Sequence, residues 1–157
     1  SRVLPGARLV GIDPSGSMLE LARRVLEEAG PGDYELKAGR AEDIPLEDGS
    51  VDVLVSLKNL HEWEDAPKGM AEVVRVLRPG GALVLQDSNR AYPYWRLRLL
   101  LVWFRMTGKR VSRHSYLGPY PDAYRPEQVE VLLTEAGLRV EEVDRRSVEL
   151  SFVARRP

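Results

Sequence analysis

The stretch Leu9-Val10-Gly11-Ile12-Asp13-Pro14-Ser15-Gly16-Ser17-Met18-Leu19 runs from an apolar segment through an acid and turn residues into an amphipathic pattern. Leu9 to Ile12 reads as a short buried strand closed by Asp13, and Pro14 to Ser17 turns the chain. Ser17 with Glu20 three positions on has the form of a capping box. Met18, Leu21, Ala22, Val25 and Leu26 then recur at helical spacing until Gly30-Pro31 stops them, which predicts a helix over residues 17–29. A strand feeds a helix.

The same grammar repeats downstream. Tyr34 to Ala38 alternates as a second strand, a polar loop runs from Gly39 to Ser50, and Val51 to Leu57 is a β-branched run broken only by Asp52. Such a run suits a strand buried on both faces. Asp65 is placed to cap a helix with Pro67 in its first turn and Met70, Val73, Val74 and Leu77 on one side, and Pro79-Gly80-Gly81 is read as its stop. Ala82 to Leu85 is the next buried strand, ending at Gln86-Asp87.

Alternating strands and helices predict an α/β fold with a doubly wound, mostly parallel sheet. Ser88 to Tyr124 reads as irregular, Pro126 to Ala136 as a helix, and Leu138 to Val143 with Val148 to Ala154 as a C-terminal antiparallel hairpin. The expected organisation is a single domain over residues 1–157 with 88–124 as an insertion.

Composition narrows the function classes. The 157 residues are 43% hydrophobic and 30% charged, with 23 Lys and Arg against 24 Asp and Glu, so neither a globally basic nucleic-acid binder nor an acidic tail fits. With no cysteine, thiolate nucleophiles and cysteine-ligated zinc are excluded, and two histidines build no His-rich metal site. The lack of cysteine, with no secretion signal visible in these residues, makes a cytoplasmic setting the expectation. The longest apolar run, Leu99 to Phe104, falls far short of the roughly 20 residues that span a bilayer.

In doubly wound sheets, ligands bind beyond the carboxyl ends of the parallel strands. The residues there are Asp13, the loop from Gly39 to Asp43, Ser56 to His61, and Gln86 to Asn89. An acid closing a buried strand can accept from both hydroxyls of a ribose, and it can equally hold a turn together, so Asp13 has two readings. No Gly-x-Gly-x-x-Gly occurs in the chain.

Five motifs in order carry a resemblance: Gly11 to Leu19, Gly39-Arg40-Ala41-Glu42-Asp43-Ile44-Pro45-Leu46, Ser50-Val51-Asp52-Val53-Leu54, Leu60-His61, and Glu72 to Gly81. Over roughly residues 7–87 the chain resembles a class I S-adenosylmethionine-dependent methyltransferase of the small-molecule type. The resemblance implies S-adenosylmethionine as cofactor and methyl transfer to a small molecule. It implies that Asp13 holds the ribose, Met18 lies against the adenine, Ala41 and Glu42 line the adenine edge, and Leu57 to His61 flank the methionine part and the substrate entrance.

There are two departures from the family. Arg40 stands where an acid often meets the adenine amino group, and an arginine cannot accept that hydrogen bond, which leaves Glu42 or Asp43 to do so. The family's first strand and glycine-rich loop have no counterpart here. That strand would lie between those ending at Asp13 and Ser56, and at a strand spacing of about 4.8 Å its absence opens a gap of about 10 Å. Three resolutions are expected: a longer natural chain, the two strands closing up and pairing, or a second copy filling the gap. The competing functional class is a non-catalytic interaction protein, dimeric in one version, that has lost cofactor binding.

A sulfonium methyl is already electrophilic, so the chemistry mainly needs in-line placement of a nucleophile. His61 is the one histidine near the expected strand ends; it is a candidate base for a substrate hydroxyl or amine, or a residue that orders the following turn. His61-Glu62-Trp63-Glu64-Asp65 lacks a second histidine at helical spacing, so no metal site is expected. From Ser88 to Pro121 there is no acid, while Arg90, Arg96, Arg98, Arg105, Lys109, Arg110 and Arg113 alternate with Tyr92, Tyr94, Trp95, Trp103, Phe104, Tyr116 and Tyr120. Leu97, Leu100, Leu101 and Phe104 form one helical stripe. This segment reads as a packed helix with solvated arginines, a substrate lid, a membrane-surface contact through 94–113, a homodimer surface or a nucleic-acid contact.

Overall fold

The computed structural model describes residues 6–30, 32–107, 122–145 and 148–157. Strand β1 (Leu9–Asp13) pairs in parallel with β2 (Tyr34–Ala38), from Leu9 opposite Tyr34 to Asp13 opposite Ala38, and helix α1 (Gly16–Ala29) connects them. The helix cap is Ser15, two residues earlier than the Ser17 expected from sequence. Asp13 Oδ1 accepts from the Ser15 N–H at 2.8 Å, which fixes the corner and leaves Ser15 extended, with its Oγ accepting from the Met18 N–H. The apolar stripe of α1 divides: Leu19, Ala22 and Leu26 are half-buried, whereas Met18, Leu21 and Val25 are exposed.

The second sheet contains β3 (Val51–Leu57), β4 (Leu77–Ser88), β5 (Arg139–Asp144) and β6 (Glu149–Arg155), in the order β3-β4-β6-β5. β3 and β4 are parallel, and β6 runs antiparallel to both of its neighbours. The hairpin expected at the C-terminus therefore forms, but its second strand is the one inserted next to β4. Burial accounts for the choice: Leu150, Phe152 and Ala154 of β6 are fully buried, while β5 offers only half-buried Val140 and Val143 and takes the edge.

Helices α2 (Ala66–Val76) and α4 (Pro126–Glu135) pack over this sheet, and helix α3 (Tyr94–Met106) follows β4. Met70, Val73 and Val76 of α2 and Val129 and Leu133 of α4 close the core against Leu83, Leu85, Leu150 and Phe152. Each large side chain buried there contributes about 1.5–3 kcal/mol. Asp65 caps α2 as expected, accepting from the Lys68 N–H at 3.0 Å. Part of the segment expected to be irregular is thus helical, its apolar spacing prevailing over the arginines, and 108–121 lies outside the described residues.

Pro79-Gly80-Gly81 does not stop α2. The helix ends at Val76, and Leu77 is already extended and paired with Val51. The next pair is Val53 with Ala82, so Arg78 to Gly81 form a bulge within β4. Gly80 sits at φ +78°, and a Cβ on Gly81 would lie 2.8 Å from the Arg78 carbonyl and 3.1 Å from that of Val51. The glycines let three backbones close on one point, with Gly80 N–H donating to Arg156 O and Arg156 N–H to Gly81 O, both at 2.9 Å.

No ladder joins β1 to β3 among the described residues, so the expectation that these strands close up and pair is not met. The loop after β2 is instead tied to α2. Ile44 enters the core and its N–H donates to Glu72 at 2.9 Å, while the Arg75 guanidinium donates to the carbonyls of Ile44 and Leu46, each at 2.8 Å, and to Glu72 and Asp48. Through these bonds the β1–β2 pair is anchored to α2. Val53, Val55 and Leu57 on one face of β3 are exposed, contrary to a strand buried on both faces.

Candidate active site

Parallel pairing puts the residues that follow each strand side by side. Because Asp13 is opposite Ala38, the Gly39-Arg40-Ala41 turn lies next to Asp13, and Gly39 N–H donates to Asp13 O at 3.4 Å. A Cβ on Gly39 would lie 2.6 Å from Pro45 Cδ and 3.0 Å from Ile12 Cγ2, so only glycine fits there without displacement. The structure thus brings Asp13 and Ala41 together at one end of the β1–β2 pair. Met18 projects from α1 and is exposed.

Asp13 performs the turn role, since its Oδ1 is committed to the Ser15 N–H. Half-buried, it presents the rest of its carboxylate at the strand end. Glu42 is more heavily engaged. Its Oε1 accepts from the Asp65 N–H at 3.2 Å, and Arg40 lies 3.7 Å from Oε2. Burial pushes its carboxyl up, but hydrogen bonds from the backbone of Asp65, of Glu42 itself and of Glu64, with the Arg40 charge, outweigh burial and hold it below the usual carboxylate range. Arg40 also pairs with Glu64. Glu42 therefore joins the β2 loop to the start of α2, linking the ends of the two sheets, while Asp43 is exposed.

The second half of the site lies where β3 and β4 end. Leu57 is opposite Gln86 and is exposed. Lys58 then takes φ +57°, a left-handed conformation that costs a non-glycine residue of order 1 kcal/mol, and its N–H donates to Gln86 O at 2.7 Å. Ser56 Oγ donates to Asn59 Oδ1, and a short 3-10 turn, Leu60–Glu62, carries His61 toward the end of β4.

There His61 meets Asp87. Asp87 is fully buried, and its Oδ1 lies 2.8 Å from His61 Nδ1. The Ser88 N–H donates to the same oxygen at 2.6 Å and the His61 N–H donates to Oδ2 at 3.1 Å. A carboxylate only accepts, so against it Nδ1 carries the hydrogen in their bond. In that tautomer Nε2 is the acceptor nitrogen, and Glu62 Oε1 lies 3.9 Å from it. The ring is nearly buried, with 9% of the side chain exposed. Sequence reasoning placed His61 here but did not select Asp87; the available signal was an acid closing a buried strand, the same signal that singled out Asp13.

A groove of about 350 Å³ between α2 and α4 is lined by Pro67, Ala71, Val74, Leu132, Glu135 and Ala136. It contains neither member of the pair.

A family model described as a methyltransferase domain matches residues 1–85. The chain belongs to this family, the class I S-adenosylmethionine-dependent methyltransferases. It is 29% identical over 152 residues to a demethylmenaquinone methyltransferase of Symbiobacterium thermophilum, an alignment covering 87% of this chain and 61% of that protein. This methyltransferase domain thus spans less than two thirds of that relative's length. A crystal structure of an S-adenosylmethionine-dependent methyltransferase from Aquifex aeolicus matches its fold with a TM-score of 0.74 at 21% identity, over 98% of this chain and 71% of that one. The cyclase SpnF matches with the same TM-score of 0.74 at 16% identity, over 99% of this chain and 69% of that one. At such identities the likeness concerns the fold, and the reaction has to be argued from the site.

The donor set fits the nucleoside half of the family's cofactor. A carboxylate at a strand end beside a turn that admits no Cβ is suited to the hydroxyls and edge of a nucleoside. The described residues contain no glycine-rich turn for the methionine half.

Proposed function

We propose that this chain holds the nucleoside of S-adenosylmethionine and prepares a small-molecule acceptor for methylation. When bound, that cofactor supplies a methyl group on a positively charged sulfur, already reactive toward a nucleophile. Asp13 accepts from the ribose hydroxyls, Ala41 and Met18 border the adenine, and Leu57 lies beside the acceptor entrance. Glu42 lines the adenine edge with Oε2 while its Oε1 holds the Asp65 N–H at the start of α2.

The observation that carries the chemical reading is the His61–Asp87 pair. Asp87 keeps the proton on Nδ1, and Nε2 takes a proton from the acceptor as the acceptor's oxygen or nitrogen gains the methyl. A hydroxyl or amine is the acceptor that needs such a base. The arrangement also favours an enzyme over an interaction module, because a buried carboxylate orienting a histidine is costly and packing alone does not call for it. The name of the Symbiobacterium relative makes a quinone-derived compound the first substrate class to try.

The test is calorimetric titration of S-adenosylhomocysteine into the chain and into Asp13→Ala. Micromolar binding that weakens at least about tenfold in the variant is expected, equivalent to losing one charge-assisted hydrogen bond. Equal affinity in both proteins, or no binding to either, would overturn the assignment.

A further inference from the structure

The arginine-rich helix α3 is the feature that methyl transfer leaves unused. At about 100° per residue, Val102, Trp95, Met106 and Leu99 fall in that order around one side of the helix, with Trp103 at the far edge, an arc of about 100°. All five are exposed, by 54, 60, 80, 59 and 53% respectively. Arg98 borders the arc on one side and Arg96 on the other, both exposed. Phe104, on the opposite side, is half-buried and packs against Trp103 with ring centroids 5.3 Å apart. The helix therefore carries an apolar arc, edged by cations, on its exposed side.

We propose that α3 lies in the surface of an anionic bilayer, with Trp95, Leu99, Val102 and Met106 among the upper acyl chains and Arg96 and Arg98 at the lipid phosphates. The charge pattern selects this occupant. From Ser88 to Pro121 the sequence has no acid, so a second copy meeting the same patch across a two-fold axis would set arginines against arginines. Nucleic acid would pair with the arginines and leave the apolar arc in water. A lipid surface satisfies both: arginine heads reach outward to phosphates while their stems and the indoles lie at the boundary. Arg96 already sits over the Trp95 ring, 5.2 Å from its centroid, so cation and indole are presented together. No helix among the described residues is long and apolar enough to cross a membrane, and α3 at 13 residues fits on the surface of one. The inference rests on α3 alone and does not depend on the methyl-transfer reading.

The experiment is co-sedimentation of the full chain with phosphatidylcholine vesicles with or without about 30% phosphatidylglycerol, in low and high salt. Binding should require the anionic lipid and fall at least about tenfold in high salt. Leu99→Glu with Met106→Glu, at exposed positions, should abolish it, whereas Val131→Glu on the exposed side of α4 should leave it unchanged. If the first pair fails to fold, Arg96→Ala with Arg98→Ala should lower binding about 30-fold. Equal binding to neutral vesicles, no binding, or retention by the folded Glu pair would overturn the proposal. So would a mass that doubles with concentration and reverts to monomer in that variant, since the occupant would then be a second copy.

Discussion

Replacing Asp87 by Asn isolates the role of one buried carboxylate. The side chain keeps its size but exchanges one acceptor oxygen for an NH2, and the surroundings supply donors to both positions: Ser88 N–H and His61 Nδ1 at Oδ1, His61 N–H at Oδ2. With the amide oxygen kept at Oδ1, the NH2 confronts the His61 N–H and one hydrogen bond is lost. In the flipped orientation the NH2 confronts the Ser88 N–H and donates to Nδ1, which moves the ring proton to Nε2 and removes the base. Either way one buried polar contact is lost, costing about 2 kcal/mol. For a chain of this length that lowers Tm by roughly 4–8 °C. Methyl transfer should fall by about 10²–10⁴ if the flipped form prevails. Urea denaturation gives the first quantity, and nitrogen-detected NMR of the His61 ring gives the tautomer without needing a substrate. A variant within about 0.5 kcal/mol of wild type with an unchanged His61 tautomer would refute the reasoning.

Two further outcomes are expected. Glu72 is held below its ordinary value of 4.5, first by the hydrogen bond from Arg75 and then, against opposing burial, by the Ile44 N–H and nearby cations. Its folded value lies below its unfolded one, so its contribution to stability is complete above about pH 4.5 and is lost as the pH falls through the depressed folded value. Glu72→Gln should therefore flatten the acid limb of a stability-against-pH curve, and an unaltered limb would show that Arg75 does not act through Glu72. Gly39→Ala places a methyl 2.6 Å from Pro45 Cδ and should cost about 1–3 kcal/mol in chemical denaturation while weakening S-adenosylhomocysteine binding. A cost below about 0.5 kcal/mol would mean that the proline ring yields freely.

Much of the site was legible in the sequence because its parts are local. An acid after an apolar run, a polar turn after the second strand and a histidine after the third each lie at a strand end, and the strand ends follow from periodicity. Asp87 was harder to read. Its meaning comes from His61, 26 residues away, and only the parallel register that sets Leu57 opposite Gln86 brings them together. The second partner of Glu42 was equally hidden, since the Asp65 N–H that its Oε1 accepts from comes from another element.

Alone, the sequence determined the alternation of strands and helices, the α/β class and the C-terminal hairpin, since hydrophobic period and turn chemistry act over a few residues. Tertiary structure decided what depends on competition between distant partners. The hairpin's last strand took the inner place beside β4 because Leu150, Phe152 and Ala154 bury more than β5 can. Pro79-Gly80-Gly81 became a bulge because two other backbones press on it. The loop after β2 came to rest on α2 through Arg75 and Glu72, a contact between residues some thirty positions apart that no local pattern encodes.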